Sequence, residues 1–210
     1  MASQESAASF LPPDPSDLDA LRAASASCRG CPLYEKATQT VFGAGPPGAA
    51  VMLVGEQPGD REDRAGEPFV GPAGHLLRRS MEEAGLPPAD TFLTNAVKHF
   101  KFEQRGKVRL HKKPSAREVA ACKPWLEGEI SAVQPRLVVA LGATAGRALL
   151  GASLRVTRDR GVVQRDPHGV DVLPTVHPSS ILRAPDDAAR SVALARFVED
   201  LRSARQVAGA

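Results

Sequence analysis

VMLVGEQPGD, residues 51–60, decides how the rest of the chain is read. Four apolar residues of strand type run straight into a glycine-bearing polar turn, which predicts a buried strand ending at a site. The pattern returns three times. TFLT (91–94) leads into NAVKH, LVVAL (137–141) into GATAG, and VDVLPTV (170–176) into HPSS. Pro174 within the last run predicts a strand at a sheet edge or one that ends early.

Helical signals fill the intervals. Residues 73–84 carry spaced apolar side chains and stop at Gly85, a natural C′ position. Ser115 and Glu118 form a capping box for a helix towards Ile130, with Pro124 a break or kink inside it. Residues 144–150 and 188–204 supply two more helices. Alternation of this kind predicts a single α/β domain with a central, mostly parallel four-stranded sheet and helices on both faces. Ligands of such sheets bind at the carboxyl ends of the strands, so the four polar runs should converge on one crevice.

With 210 residues, 42% hydrophobic and 24% charged, the chain reads as one globular domain with a full core. Residues 1–15, rich in Pro, Ser and Ala, are expected to be a disordered tail, and the domain to span 16–207 from a short helix capped by Ser16. The N-terminus lacks the pattern of a signal peptide, and no apolar run is long enough for a bilayer; a cytoplasmic monomer with no membrane partner is the expectation. Cys28 and Cys31 form a C-x-x-C and Cys122 stands alone, a set that points to metal ligation or redox chemistry. Residues 98–123 hold nine of the 27 Lys and Arg but two of the 24 Asp and Glu, leaving 18 basic against 22 acidic residues elsewhere, a net −4. That local patch suits a nucleic-acid partner, or is simply a solvated charged face.

The long run GEQPGDREDRAGEPFVGPAG (55–74) is neither a P-loop nor a dinucleotide fingerprint. Its carboxylates, amide and aromatic could line a pocket for a flat polar ligand; as a bare pattern it is a strand-to-helix loop with turn glycines. Taken with FVGPAG, TNAVKH, a basic loop ending in histidine, ACKPWL, LGATA and VHPSS in that order, the chain resembles the uracil-DNA glycosylase superfamily over about residues 28–201. Within it the motifs are similar to the iron-sulfur branch, and most similar to its X-type members (UdgX), which link themselves covalently to uracil-containing DNA.

The resemblance implies roles. Glu56, Gln57 and Asp60 would position the sugar and the attacking group, within a loop whose Gly55, Gly59 and Gly71 allow close approach of substrate. Phe69 would stack on a flipped uracil, although an ordinary core aromatic is the plainer reading. Asn95 would read the uracil edge, or else be a turn residue. His177 would donate to uracil O2 as the base departs. Ser179 and Arg183 would hold phosphates, and Ile181 would wedge into the vacated stack. Cys28, Cys31 and Cys122 would bind a structural [4Fe-4S] cluster with His99 as fourth ligand; the same donors suit Zn²⁺, and His99 could instead contact phosphate.

X-type members carry a basic insertion, K-R-R-I-H, whose histidine captures the sugar. Here it reads Lys107, Val108, Arg109, Leu110 and His111, so Val108 departs from the pattern. His111 would be the nucleophile, kept neutral by Lys107, Arg109, Lys112 and Lys113, which would also grip DNA, single-stranded DNA included. Two other functions remain open at this point: a turnover glycosylase that uses water, and a non-catalytic DNA-binding module stapled by metal.

Overall fold

The computed structural model describes residues 6–210. A 3-10 turn at Ala7–Phe10 leads to α1 (Leu18–Ser25), β1 (Val51–Gly55), α2 (Asp60–Ala65), α3 (Pro72–Ala84), β2 (Thr91–Asn95), β3 (Phe102–Arg105) and β4 (Val108–His111). There follow α4 (Ala116–Val133), β5 (Leu137–Leu141), α5 (Ala143–Leu150), α6 (Val156–Asp159), β6 (Gln164–Arg165), β7 (Asp171–Thr175), α7 (Pro178–Leu182) and α8 (Asp187–Ala208).

The main sheet has the order β2-β1-β5-β7-β6. β2, β1, β5 and β7 are parallel, and the two-residue β6 adds an antiparallel edge. The expected four strands are therefore five, because a two-residue strand leaves no periodic signal. Pro174 lies in β7 opposite Ala140, past the point where β6 pairing has stopped, and its carbonyl accepts from Gly161 N–H at 2.9 Å. A residue without an N–H is tolerated there because no β6 residue faces it.

Side chains alternate across the sheet into two layers. Val51, Leu53, Leu137, Val139 and Leu173 face the layer of α3 and α8, while Met52, Val54, Val138, Ala140 and Val172 face that of α4 and α5. α3 stops at Gly85 in the left-handed conformation, as its sequence predicts. α4 begins at the Ser115–Glu118 capping box and runs unbroken through Pro124. A mid-helix proline costs about 3 kcal/mol, and fully buried Trp125 and Leu126 immediately after it supply burial of similar size. Among the described residues no helix is long and apolar enough to cross a membrane.

Two expectations at the N-terminus are corrected. The cap of α1 is Asp17, whose carboxylate accepts from Asp19 and Ala20 N–H, while Ser16 bonds Asp14 instead. Of the expected tail, residues 1–5 lie outside the described residues. From Ser6 onward the chain is ordered: Ala7 is buried, and Phe10 and Leu11 pack against the cluster that holds the three cysteines. The turn fits because residue 30 is glycine; a Cβ there would strike the Ala7 backbone. Gly30→Ala should therefore lower stability by about 1–3 kcal/mol, read as an earlier denaturation midpoint with faster limited proteolysis near residue 10. Unchanged values for both would show that the turn is not part of the core.

Candidate active site

The carboxyl ends of β1, β2, β5 and β7 open onto one cleft of about 850 Å³. Strand register levels them. Gly55 pairs with Asn95, and Leu141 with Thr175, so the loops leave the sheet together. Glu56, Gln57, Gly59, Asp60, Phe69, Gly71, Asn95, His111, Lys113, His177, Ser179 and Arg183 from the sequence-based set line the cleft, and Arg61, Glu62, Gly142 and Thr144 join them.

The floor is built around a missing side chain. A Cβ on Gly55 would run into both Asn95 Oδ1 and Phe69 Cζ, so glycine there lets amide and ring share one level. Phe69 holds φ 57°, a left-handed conformation that costs a bulky residue about 1–3 kcal/mol. Gly74 makes room for it, since a Cβ there would collide with the Phe69 carbonyl. Glu62 ties the two glycine loops together, accepting from Gly59 N–H at 3.2 Å and Gly71 N–H at 2.8 Å. Among the described residues the Asn95 side-chain amide has no hydrogen-bond partner, and it faces the cleft ready for one.

Opposite stands an imidazole pair whose protonation the hydrogen bonds define. Ser179 N–H donates to His177 Nδ1 at 3.1 Å, which leaves the proton of a neutral ring on Nε2. Burial, then the charge of Arg183 and the proximity of His111, hold the His177 pKa at about 4, so the ring is a neutral donor at pH 7. Gln57 is oriented by Lys101 N–H on its oxygen, which turns its NH₂ towards Lys101 O, Lys112 O and His111 Nε2 at 2.9 Å. His111 Nε2 meets an NH₂ that can only donate, so the contact is a hydrogen bond in the tautomer whose Nε2 carries the lone pair. This nitrogen lies 3.6 Å from Glu56 Oε1, whose other oxygen accepts a hydrogen bond from Thr144. Burial lowers the His111 pKa; Glu56 pulls it back up and Arg183 pushes it further down. The neutral imidazole is as expected, but its cause is burial and Arg183, not the four neighbouring cations.

The basic loop is a β3–β4 hairpin, turned at Gly106 with φ 57°. Phe102, Glu103, Gln104 and Arg105 pair with His111, Leu110, Arg109 and Val108, so Arg109 and His111 share one face. Arg109 is not placed for phosphate. Its guanidinium is spent on the Asp60 carboxylate and carbonyl, on Asp63 at 2.6 Å and on Thr38, and it lies over the Phe100 and Phe102 rings. Asp60 accordingly lines the cleft and, through Arg109, holds the hairpin. Lys112 pairs with Glu103 at 2.6 Å, and Lys107 sits at the hairpin turn. Ile181 is also corrected: it is 1% exposed within the core of α7 and α8 and cannot wedge, whereas Leu182 beside it is 37% exposed. Arg183 is exposed and, among the described residues, has no hydrogen-bond or ion-pair partner.

None of the candidate cofactor residues lines the cleft. Cys28, Cys31 and Cys122 are buried, unbridged and in one cluster. Trp125 Nε1–H points at Cys28 Sγ and Lys98 N–H at Cys122 Sγ, each at 3.2 Å. Burial pushes the Cys122 thiol up to about 12. Among the described residues these side chains do not close into a group of three or more metal ligands. The donor chemistry nonetheless fits an iron-sulfur cluster: soft thiols, dry surroundings and N–H donors aimed at sulfur. His99, 4% exposed, is too buried for phosphate. Thr40 gives its hydroxyl proton to Ser25 O and so accepts from His99 Nε2–H at 3.0 Å, leaving the lone pair on Nδ1.

Sequence reasoning missed Thr144, Glu62 and Arg61. The GATAG run, expected at the crevice, marked the first only as the start of a helix, and the others stand within the DRED stretch without a periodic signal.

The family described as the uracil DNA glycosylase superfamily matches residues 42–202. The chain is similar to the type-4 uracil-DNA glycosylase of Thermotoga maritima, 36% identical over 179 residues that cover 85% of this chain and 88% of that one. It is likewise similar to type-4 uracil-DNA glycosylases of Pyrobaculum aerophilum, 35% identical over 80% and 86% of the two chains, and of Sulfurisphaera tokodaii, 35% identical over 76% and 73%.

The imidazole pair generates a direct test by nitrogen-detected NMR titration. Both rings should be neutral at pH 7, with His177 protonated on Nε2 until about pH 4 and His111 charging below the ordinary histidine value. Arg183→Ala removes a cation and should raise both pKa values. A His177 titrating near 6.5, or indifference to that substitution, would contradict the arrangement.

Proposed function

Because the chain belongs to the uracil DNA glycosylase superfamily, we propose that it excises uracil from DNA and that His111 then bonds to the exposed sugar carbon. The observation that carries the second step is the placement of a neutral His111 Nε2 3.6 Å from Glu56 Oε1 in the same cleft as Asn95 and His177.

A uracil turned out of the DNA stack enters the cleft against Phe69, with its edge on the Asn95 amide, which accepts from N3–H and donates to O4. Cytosine presents the opposite pattern at the exocyclic position. As the C1′–N1 bond breaks, its electron pair leaves with uracil, and His177 Nε2–H donates to O2 where the charge gathers. The Glu56 carboxylate, held by Thr144, faces the cation forming on the sugar. The His111 Nε2 lone pair then closes on C1′, and the Nδ1 proton is released to water. Gln57 donates to that lone pair at rest and yields it when C1′ arrives. The uracil anion takes a proton from solvent. An alkylated imidazole is a poor leaving group, so each molecule reacts once.

Arg183, Lys113 and Lys107, all basic and unpaired among the described residues, supply the DNA contacts. The cleft is complete within one chain, which supports a monomer. Cys28, Cys31, Cys122 and the His99 Nδ1 lone pair would hold the [4Fe-4S] group, which supplies a structural staple and no electrons, since cleavage of an N-glycosidic bond is not a redox step.

The rival within the family is hydrolysis by water with His111 as a bystander. Mixing the protein with single-stranded DNA bearing one uracil should give a heat- and detergent-stable species with one protein per uracil on a denaturing gel. His111→Ala should abolish that species and leave excision, seen as alkali-labile sites, because Glu56, Asn95 and His177 remain. Abasic DNA in excess over the parent protein selects the hydrolytic reading. Asn95→Ala should cut reaction with uracil DNA by at least about 10²-fold and leave DNA affinity nearly unchanged; a variant as fast as the parent removes Asn95 from base reading.

A further inference from the structure

Beneath the cleft floor lies an ion pair that the reaction does not use. Lys98 and Glu129 are both fully buried, with Lys98 Nζ 2.6 Å from Glu129 Oε2. The ammonium has three protons and three acceptors: that carboxylate, Thr94 Oγ1 at 2.7 Å, and the backbone carbonyl of Asn95 at 2.8 Å. Glu129 is satisfied as well, accepting from Gly43 N–H at 2.9 Å and from the Thr94 hydroxyl at 2.7 Å.

A buried ion pair is a poor source of stability, because desolvating both charges offsets most of their attraction, and apolar residues of similar size often do as well. What this pair does that an apolar pair cannot is hold the Asn95 carbonyl. The loop after β2 is otherwise fixed by its backbone: Ala96 N–H donates to Gly55 O at 2.9 Å, Val97 N–H to Glu56 O at 3.0 Å, and Lys98 N–H to Cys122 Sγ at 3.2 Å. The Asn95 carbonyl, at the end of β2, has no backbone donor from the loops among the described residues, and Lys98 reaches back to supply one.

We propose that Lys98 is the positioning residue for base recognition, fixing the Asn95 peptide so that its amide meets the uracil edge, and tying that peptide to the cysteine cluster through Cys122. The inference rests on uracil excision as the function. Glu129→Gln and the double variant Lys98→Met/Glu129→Gln separate positioning from stability. Glutamine at 129 still accepts from Gly43 N–H. The single variant leaves a buried cation unpaired, which lowers stability, but keeps the donor to Asn95. The double variant removes both charges, which restores stability, and deprives the Asn95 carbonyl of its donor.

Three quantities are measured on the full chain: denaturation midpoint, inhibition by free uracil, and affinity for DNA carrying an abasic-site analogue. The double variant should have a midpoint closer to the parent than the single variant does. Its uracil affinity should fall about tenfold, the loss of one aligned hydrogen bond, with affinity for abasic DNA within about twofold of the parent. The single variant should show a low midpoint and parental uracil affinity. Parental uracil affinity in the double variant overturns the proposal. If the double variant does not fold, the single variant decides alone, and a uracil affinity that falls with its midpoint overturns the proposal. A parent protein that neither excises uracil nor is inhibited by it fails the functional reading first, a result distinct from either.

Discussion

The level ends of four parallel strands are the constraint on which the site depends. Because Gly55 stands opposite Asn95, and Leu141 opposite Thr175, each loop leaves the sheet beside its neighbour. Backbone groups released at a strand end must find partners, and here they find each other: Ala96 and Val97 N–H bond the carbonyls of Gly55 and Glu56, and Gly142 N–H bonds that of Thr175. The loops therefore continue the ladder instead of hanging from it. Asn95, Glu56 and His177 inherit their mutual positions from the sheet, which is the rigid support that a recognition site requires.

His111 lies outside that inheritance. It rides a two-stranded hairpin that makes no ladder with the main sheet, so side chains must fix it. Gln57 takes one end, its amide meeting the N–H and carbonyl of Lys101 and the carbonyl of Lys112 as a strand would. Arg109 takes the other through Asp60 and Asp63. The electrostatic consequence is that the basic segment offers DNA fewer charges than its composition suggests. Lys98, Lys101, Arg105, Arg109, Lys112 and Lys123 are all paired with carboxylates of this chain. Arg183, at the cleft and without an ion-pair partner among the described residues, keeps its charge free and helps hold both imidazoles neutral.

The four buried strands, the Gly85 stop and the Ser115 box were legible because each depends on local chemistry: apolar runs, a left-handed glycine and a side-chain cap. Most of the cleft was legible for the same reason, since polar runs following such strands must gather at one end of a parallel sheet. Arg109, Ile181 and the N-terminal turn were not. A charged residue in a basic run reads as exposed until Asp60 and Asp63 are known to lie against it. The face of a five-residue helix that Ile181 occupies is set by packing on α8, and Ala7 is ordered by the absence of a Cβ at Gly30, a contact between distant parts of the chain. Tertiary partners decide these cases, and periodicity carries no trace of them.

Unfavourable features gather at this end of the sheet and are tolerated because the two apolar layers lie elsewhere. Phe69 keeps a strained backbone, His177 stays neutral in a half-buried setting, and Lys98 and Glu129 spend solvation to hold one carbonyl. Each would be more stable relaxed, exposed or replaced by an apolar group. Each also fixes a group that a flat polar ligand would meet: a ring face, an N–H donor and an amide. In water such groups must first reorient around a forming charge, whereas groups already held in place do not. The stability of Val51, Leu53, Val138 and their neighbours, fully buried across the central strands, is what allows the loops above them to be built for fixed geometry and not for their own stability.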